Sequence, residues 1–194
     1  NTYIPDPRRE KLIAFYTKHQ EEIMLMPASH KKAYHNAFPG GYVEHVNRVI
    51  EGALEINKVW CNFGAEQNYT IEELVFSALN HDLGKLGQKG KLHYINNDSE
   101  WHIKNRGQFY KSNPDVSYMT LTDRTFFTLS EYGIQYNENE YFGIKLTDGM
   151  YDEDNLKYLK TFEVSKHPKN NIQYILHWAD HMSSTIERDQ ELKK

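Results

Sequence analysis

The chain has 194 residues, of which 39% are hydrophobic and 26% charged, with a formal net charge of -4 at pH 7. That length suffices for one domain with a core built without covalent staples, and the acidic balance excludes the broad basic surface that stable binding to duplex nucleic acid requires. A single cysteine, Cys61, rules out an intrachain disulfide, and no apolar run reaches the roughly 18 residues of a membrane span, so a reducing, cytoplasmic setting is expected.

The opening segment, from Asn1 to Pro7, has no basic region followed by an apolar stretch and does not read as a secretory signal. Next, Leu12, Ile13, Phe15, Tyr16, Ile23 and Met26 recur at near-helical spacing and predict one helix over residues 8–26, with Pro7 where a first turn tolerates it. Residues 27–41 carry turn chemistry, including Ser29, Pro39 and the pair Gly40-Gly41. A second helix is predicted over about residues 42–60 from the stripe Val43, Val46, Val49, Ile50, Ala53, Leu54 and Ile56.

Thr70-Ile71-Glu72-Glu73 has the form of a capping box. The helix it opens should end near Gly84 and carry His81 and Asp82 in its last turn. Residues 87–121 read as a long irregular insertion, and a loop of that length within a domain is usually functional. Helical signals return over residues 123–132, with Gly133 as the stop, over residues 138–146, and over residues 171–188. No alternating strand, repeat or low-complexity tract stands out, so the chain reads as a single all-α domain spanning residues 1–194.

The chemistry concentrates in four side chains. His81 and Asp82 are adjacent, His45 lies mid-helix upstream, and Asp180 sits among apolar neighbours in the final helix. Two neutral imidazoles and two carboxylates suit a divalent cation that also binds water. A buried carboxylate such as Asp180 needs a partner, and a metal or a basic side chain would serve. Near a helix terminus an adjacent His and Asp can converge on one ion, which they cannot do mid-helix.

These residues resemble the pattern of the HD-domain metal-dependent phosphohydrolases: a His, a His-Asp doublet and a distant Asp, all on helices. His45 in Gly40-Gly41-Tyr42-Val43-Glu44-His45 matches the first ligand, His81-Asp82-Leu83-Gly84-Lys85 the doublet, and Asp180 in His177-Trp178-Ala179-Asp180 the last. The resemblance spans about residues 33–187. It implies an HD-type bundle of five or more helices around a metal, and hydrolysis of phosphoester or phosphoanhydride bonds, most often in nucleotides. Relatives that hold a second metal use further histidines after the doublet; here Thr147, in Leu146-Thr147-Asp148-Gly149, stands where one would often be. One divalent transition metal is therefore expected, drawn from Mn, Co, Ni, Fe and Zn, with Mg also able to serve. The insertion and final helix also resemble those of bacteriophage-encoded HD proteins, which implies work on nucleotide pools in a host cytoplasm.

Around these ligands, Lys85 and Arg48 are candidate phosphate contacts and His35 a candidate general acid or base. In the insertion, Trp101, Lys104, Arg106 and Tyr110 alternate aromatic and basic groups, as a base-stacking, phosphate-gripping loop would, or pack against one another. His93 and His102 are loop histidines of the kind that seldom reach a metal, and Tyr151 and Asp152 are weaker candidates for the pocket. The expected partner is a small nucleotide, with no membrane and with homo-oligomerisation open. Other readings are an oligonucleotide or cyclic-nucleotide phosphodiesterase, a di-iron oxygenase, which needs the histidines that Thr147 denies, and a non-catalytic nucleotide-binding module.

Overall fold

The computed structural model describes residues 3–5, 7–88 and 90–193, so Asn1, Thr2 and Asp6 of the opening segment lie outside the described residues. In chain order the elements are α1 (Arg8–Lys18), α2 (Gln20–Leu25), α3 (Gly41–Asn62), α4 (Ile71–Asn80), β1 (Tyr94–Asn96), α5 (Glu100–Arg106), β2 (Tyr110–Ser112), α6 (Leu121–Glu131), α7 (Glu138–Lys145), α8 (Leu156–Leu159) and α9 (Ile172–Leu192), with short 3₁₀ turns between them. The fold is all-α apart from one small pair of strands. Among the described residues no helix is long and apolar enough to cross a membrane.

The long helices α3 and α9 pack along each other, α4 lies against α3 and α7, and α7 returns to α9. The apolar stripe predicted for the last helix is what buries it: Ile172, Ile175, Leu176 and Ala179 are sequestered with Val49 and Ala53 of α3 and Leu74 and Ala78 of α4. Each buried Ile or Leu there contributes about 1.5–3 kcal/mol. A second cluster gathers Leu12, Phe15, Tyr42, Val46, Phe76, Leu83, Leu129 and Ile144, and Ile50 of α3 packs against both. Together they hold α3, α4 and α9 at a fixed separation, and those three elements or their ends carry the candidate ligands.

Several helix starts follow the chemistry of their caps. Thr70 Oγ1 accepts from the Glu73 amide while the Glu73 carboxylate accepts from the Thr70 amide, the reciprocal box expected at α4. Asn137 and Glu140 repeat the device at α7, and both oxygens of Glu140, fully buried, also accept from Arg8 Nη1 at 2.6 and 2.8 Å. At the start of α3, Gly40 is left-handed (φ +86°), and a Cβ on Gly41 would sit 2.1 Å from the Asn36 carbonyl oxygen. The Gly-Gly pair thus lets the 28–36 loop press directly on the helix that carries His45.

Three expectations are corrected. The opening helix is two helices, because His19 leaves helical geometry (φ -104°, ψ 18°) with its ring held by Tyr132 Oη at 2.7 Å and packed on Phe15. The helix of the doublet ends at Asn80, and Leu83–Leu86 form a separate 3₁₀ turn, so His81 and Asp82 occupy the junction. The insertion is not wholly irregular: β1 and β2 pair antiparallel (Tyr94 with Ser112, Asn96 with Tyr110) around α5. Backbone bonds from Lys32 to Gly107 (2.8 Å) and from Tyr110 to His30 (3.2 Å) fasten this insertion to the 28–36 loop.

Candidate metal centre and cleft

Helices α3 and α9 and the C-terminal end of α4 deliver the candidate ligands to one place. His45 comes from α3, His81 from the C-cap of α4, Asp82 from the junction and Asp180 from mid α9. His45 Nε2 lies 3.1 Å from Asp180 Oδ1 and 3.7 Å from Asp82 Oδ2; His81 Nε2 lies 3.8 Å and 3.6 Å from the same two oxygens. Donors around one ion at about 2.1 Å are themselves roughly 3–3.5 Å apart, so these separations are close to those of a ligand shell.

The other edge of each ring is already committed. His45 Nδ1 meets Glu187 Oε2 at 2.9 Å, and His81 Nδ1 meets the Ala78 carbonyl oxygen at 2.8 Å. Both contacts require the proton on Nδ1, which leaves the lone pair of a neutral ring on Nε2. Both Nε2 atoms are buried and make no well-aligned hydrogen bond within the protein, although His45 Nε2 faces Asp180 Oδ1 at 3.1 Å. Buried polar atoms are seldom left that way, and two of them aimed at the same pair of carboxylates fit a divalent cation. His45, His81 and Asp180 each offer one ligand atom within 4.8 Å of the others. His35, His45 and Glu187 are equally close together, but there the His45–Glu187 contact is a hydrogen bond that supports the first group.

Charge agrees with geometry. Burial pushes the Asp82 carboxyl up, but the adjacent Lys85 cation and the His81 and His45 rings bring it well below the usual carboxylate range. Burial also raises Asp180, and His45 more than reverses the effect. For His45, burial acts downward, yet Asp180 and Glu187 hold it up at about 9. The carboxylates of Asp82, Asp180 and Glu187 thus converge against Lys85, Arg48 and the His45 ring, and a divalent cation bound there would take the place of the His45 proton.

No protein-family model, curated protein or solved structure matches this chain.

Beside the ligands a cleft of about 440 Å³ opens, lined among others by His35, Lys85, Tyr94, Tyr151, His177 and Arg188. That is within the range of small-molecule sites. Lys85 stands in its wall, paired with Asp82. The 3₁₀ turn bearing it is pinned to α6: the Gly84 amide donates to Thr125 Oγ1 at 2.8 Å, and a Cβ on Gly84 would meet the Leu121 carbonyl oxygen at 2.0 Å. His35 also lines the cleft, its ring 4.7 Å from that of His45. Burial first, then Lys85 and His45, depress its pKa to about 3, which makes it a neutral hydrogen-bonding group at ordinary pH.

The remaining sequence candidates lie elsewhere. Arg48 is behind the ligands, its Nε on Glu187 at 3.1 Å and a terminal nitrogen on Glu44 at 3.4 Å, so it orients Glu187 instead of facing the cleft. Arg106 covers the Trp101 ring at 5.0 Å, Lys104 is exposed, and Tyr110 is buried beside a separate groove with Lys32 and Phe109. None of Trp101, Lys104, Arg106 and Tyr110 lines the cleft, and within α5 Arg106 and Trp101 pack on each other. His102 bonds Ser99 Oγ at 2.7 Å, and His93 packs on Tyr94. The insertion reaches the cleft through Tyr94 instead.

Sequence reasoning missed Glu187, Thr125, Tyr94 and His181. A signal for Glu187 exists: it falls on the buried stripe of α9, where Ile172, Leu176, Ala179 and Ser183 precede it, and a carboxylate on such a stripe calls for a polar partner. Thr147 supplies no ligand; its hydroxyl donates to the Gly143 carbonyl oxygen at 2.7 Å, and its own carbonyl accepts from His177 Nδ1 at 2.6 Å.

Proposed function

We propose that the chain is an HD-type metal-dependent phosphohydrolase acting on a nucleotide, as nucleotidase or as deoxynucleoside triphosphate hydrolase. The observation that carries this reading is the pair of buried Nε2 atoms of His45 and His81, each within 3.1–3.8 Å of the Asp82 and Asp180 carboxylates at the edge of a cleft. A divalent cation held there supplies Lewis-acid activation of water and of a phosphoryl oxygen.

The chain's own residues do the rest. Glu187 and the Ala78 carbonyl fix the ring orientations of His45 and His81. Lys85 brings an ammonium into the cleft beside Asp82, where it can neutralise charge on a phosphoryl group. His35, neutral and with a buried Nε2 that lacks a protein partner, can orient a water or phosphate oxygen. The use of Thr147 for helix termination supports one metal over two.

A panel of nucleoside mono- and triphosphates incubated with Mn²⁺, Co²⁺, Ni²⁺ or Mg²⁺, read as phosphate, pyrophosphate and triphosphate release, tests the proposal. Release of one of these products by the wild type and its loss in His81→Ala and Asp82→Ala is expected. A wild type inert with every metal and nucleotide overturns it.

A further inference from the structure

We infer that Tyr151 and His181 form an open aromatic clamp that takes the base of the substrate, a flat heterocyclic ring. The inference rests on the nucleotide reading above and deepens it.

Two aromatic groups face the cleft, and their geometries differ. On one side His30 is held between its neighbours, meeting Tyr34 edge to face at 5.2 Å and 81° and Tyr94 tilted at 5.9 Å and 34°, and the Tyr110 amide bonds the His30 carbonyl to lock the group in place. An edge-to-face pair leaves no slot for a planar ring. On the other side Tyr151 stands 80% exposed, its ring near-parallel to that of His181 at 22° with centroids 6.0 Å apart. A planar ring held between two others needs about 7 Å, twice the roughly 3.5 Å contact of two carbon surfaces. A centroid distance of 6.0 Å is that of an offset pair, so a base enters when the exposed Tyr151 ring turns aside to open that space.

The position of Tyr151 is built into the backbone. Gly149 is left-handed (φ +55°), and a Cβ there would collide with the His177 ring at 2.4 Å, so the turn bearing Tyr151 is pressed against α9. His177 is itself fixed by its bond to the Thr147 carbonyl. His181 follows Asp180 directly, which places the clamp beside the candidate metal ligands, and Tyr151, His181 and Lys85 all line the same cleft. Phosphate near Lys85 and base at Tyr151 would divide the cleft by chemistry.

The test uses nucleosides as probes in saturation-transfer NMR, with no metal and no turnover, on wild type, Tyr151→Ala, Tyr151→Phe and His181→Ala. Tyr151 is a surface residue, so its variants should fold, and circular dichroism verifies this. The wild type and Tyr151→Phe should bind nucleosides, and Tyr151→Ala should bind on the order of tenfold more weakly. In kinetic assays the preference for a nucleoside 5′-monophosphate over ribose 5-phosphate, taken as kcat/KM, should fall by a similar factor. Unchanged nucleoside affinity in Tyr151→Ala, or a wild type that binds no nucleoside, overturns the clamp. Nucleoside binding that depends on Tyr151, in a protein that releases no phosphate from any substrate, would leave the clamp standing and remove the hydrolase reading alone.

Discussion

His45 Nδ1 and Glu187 Oε2 meet at 2.9 Å with both side chains buried, and the same carboxylate accepts from Arg48 Nε at 3.1 Å. Glu187 therefore sets which nitrogen of His45 faces Asp82 and Asp180 and raises the basicity of that ring. In Glu187→Gln the side chain keeps its size but loses its charge. The expected result is a metal affinity lower by about 10-fold or more, measured by calorimetric titration with Mn²⁺ or Co²⁺.

Lys85 and Asp82 form an ion pair that is almost fully buried. Removing the ammonium in Lys85→Met leaves Asp82 without its cation, which lowers the stability of the metal-free protein by roughly 3–5 kcal/mol. Adding metal should restore more of the melting temperature in this variant than in the wild type, because the ion takes over the pairing. Phosphate release should nevertheless drop by about 100-fold or more, since the cleft has lost a charge aimed at the phosphoryl group.

Gly84 permits the 3₁₀ turn of Lys85 to lie against α6, with only 2.0 Å between a would-be Cβ and the Leu121 carbonyl oxygen. Because that neighbour is backbone, Gly84→Ala must displace the turn or the start of α6. A loss of about 2–3 kcal/mol in urea denaturation is expected, together with lost activity, as the doublet shifts relative to His45. Gly64 has open space around it but a positive φ (+91°), so Gly64→Asn costs backbone strain and some stability while leaving activity unchanged, which separates a loss of stability from a displaced site.

Glu73 supplies the pH-dependent part of one helix cap. Partial burial pushes its carboxyl up, but bonds from the Thr70 amide and from the Asn137 and Asn139 side chains bring it below its ordinary value of 4.5. A group depressed in the folded state adds stability that is fully present above the unfolded pKa and fades as pH falls through the folded one. The stability difference between wild type and Glu73→Gln should be constant above about pH 5 and shrink below it, as read from urea melts at a series of pH values.

The helical stripes of α3 and α9 and the cap of α4 were legible in the sequence, because each depends on local spacing. The break at His19 was not, since it arises from a contact with Tyr132, over a hundred residues away. The strands β1 and β2 escaped notice for a related reason: three residues each are too few to show alternation, and their pairing spans an intervening helix. At the site, His45, His81, Asp82 and Asp180 could be named from residue type and order, whereas the roles of Arg48 and of the Trp101–Tyr110 segment could not. A basic side chain near a candidate ligand looks the same in sequence whether it faces the cleft or, as Arg48 does, a carboxylate behind it.

The central claim is that His45, His81, Asp82 and Asp180 hold one divalent metal. Elemental analysis of the purified protein after loading with Mn²⁺ or Co²⁺ and removal of free metal tests it most directly, with His81→Ala measured alongside and its fold checked by circular dichroism. About one equivalent per wild-type chain and a small fraction of that in the variant is the predicted result. No metal in the wild type, two equivalents per chain, or equal occupancy in a folded His81→Ala would contradict the account.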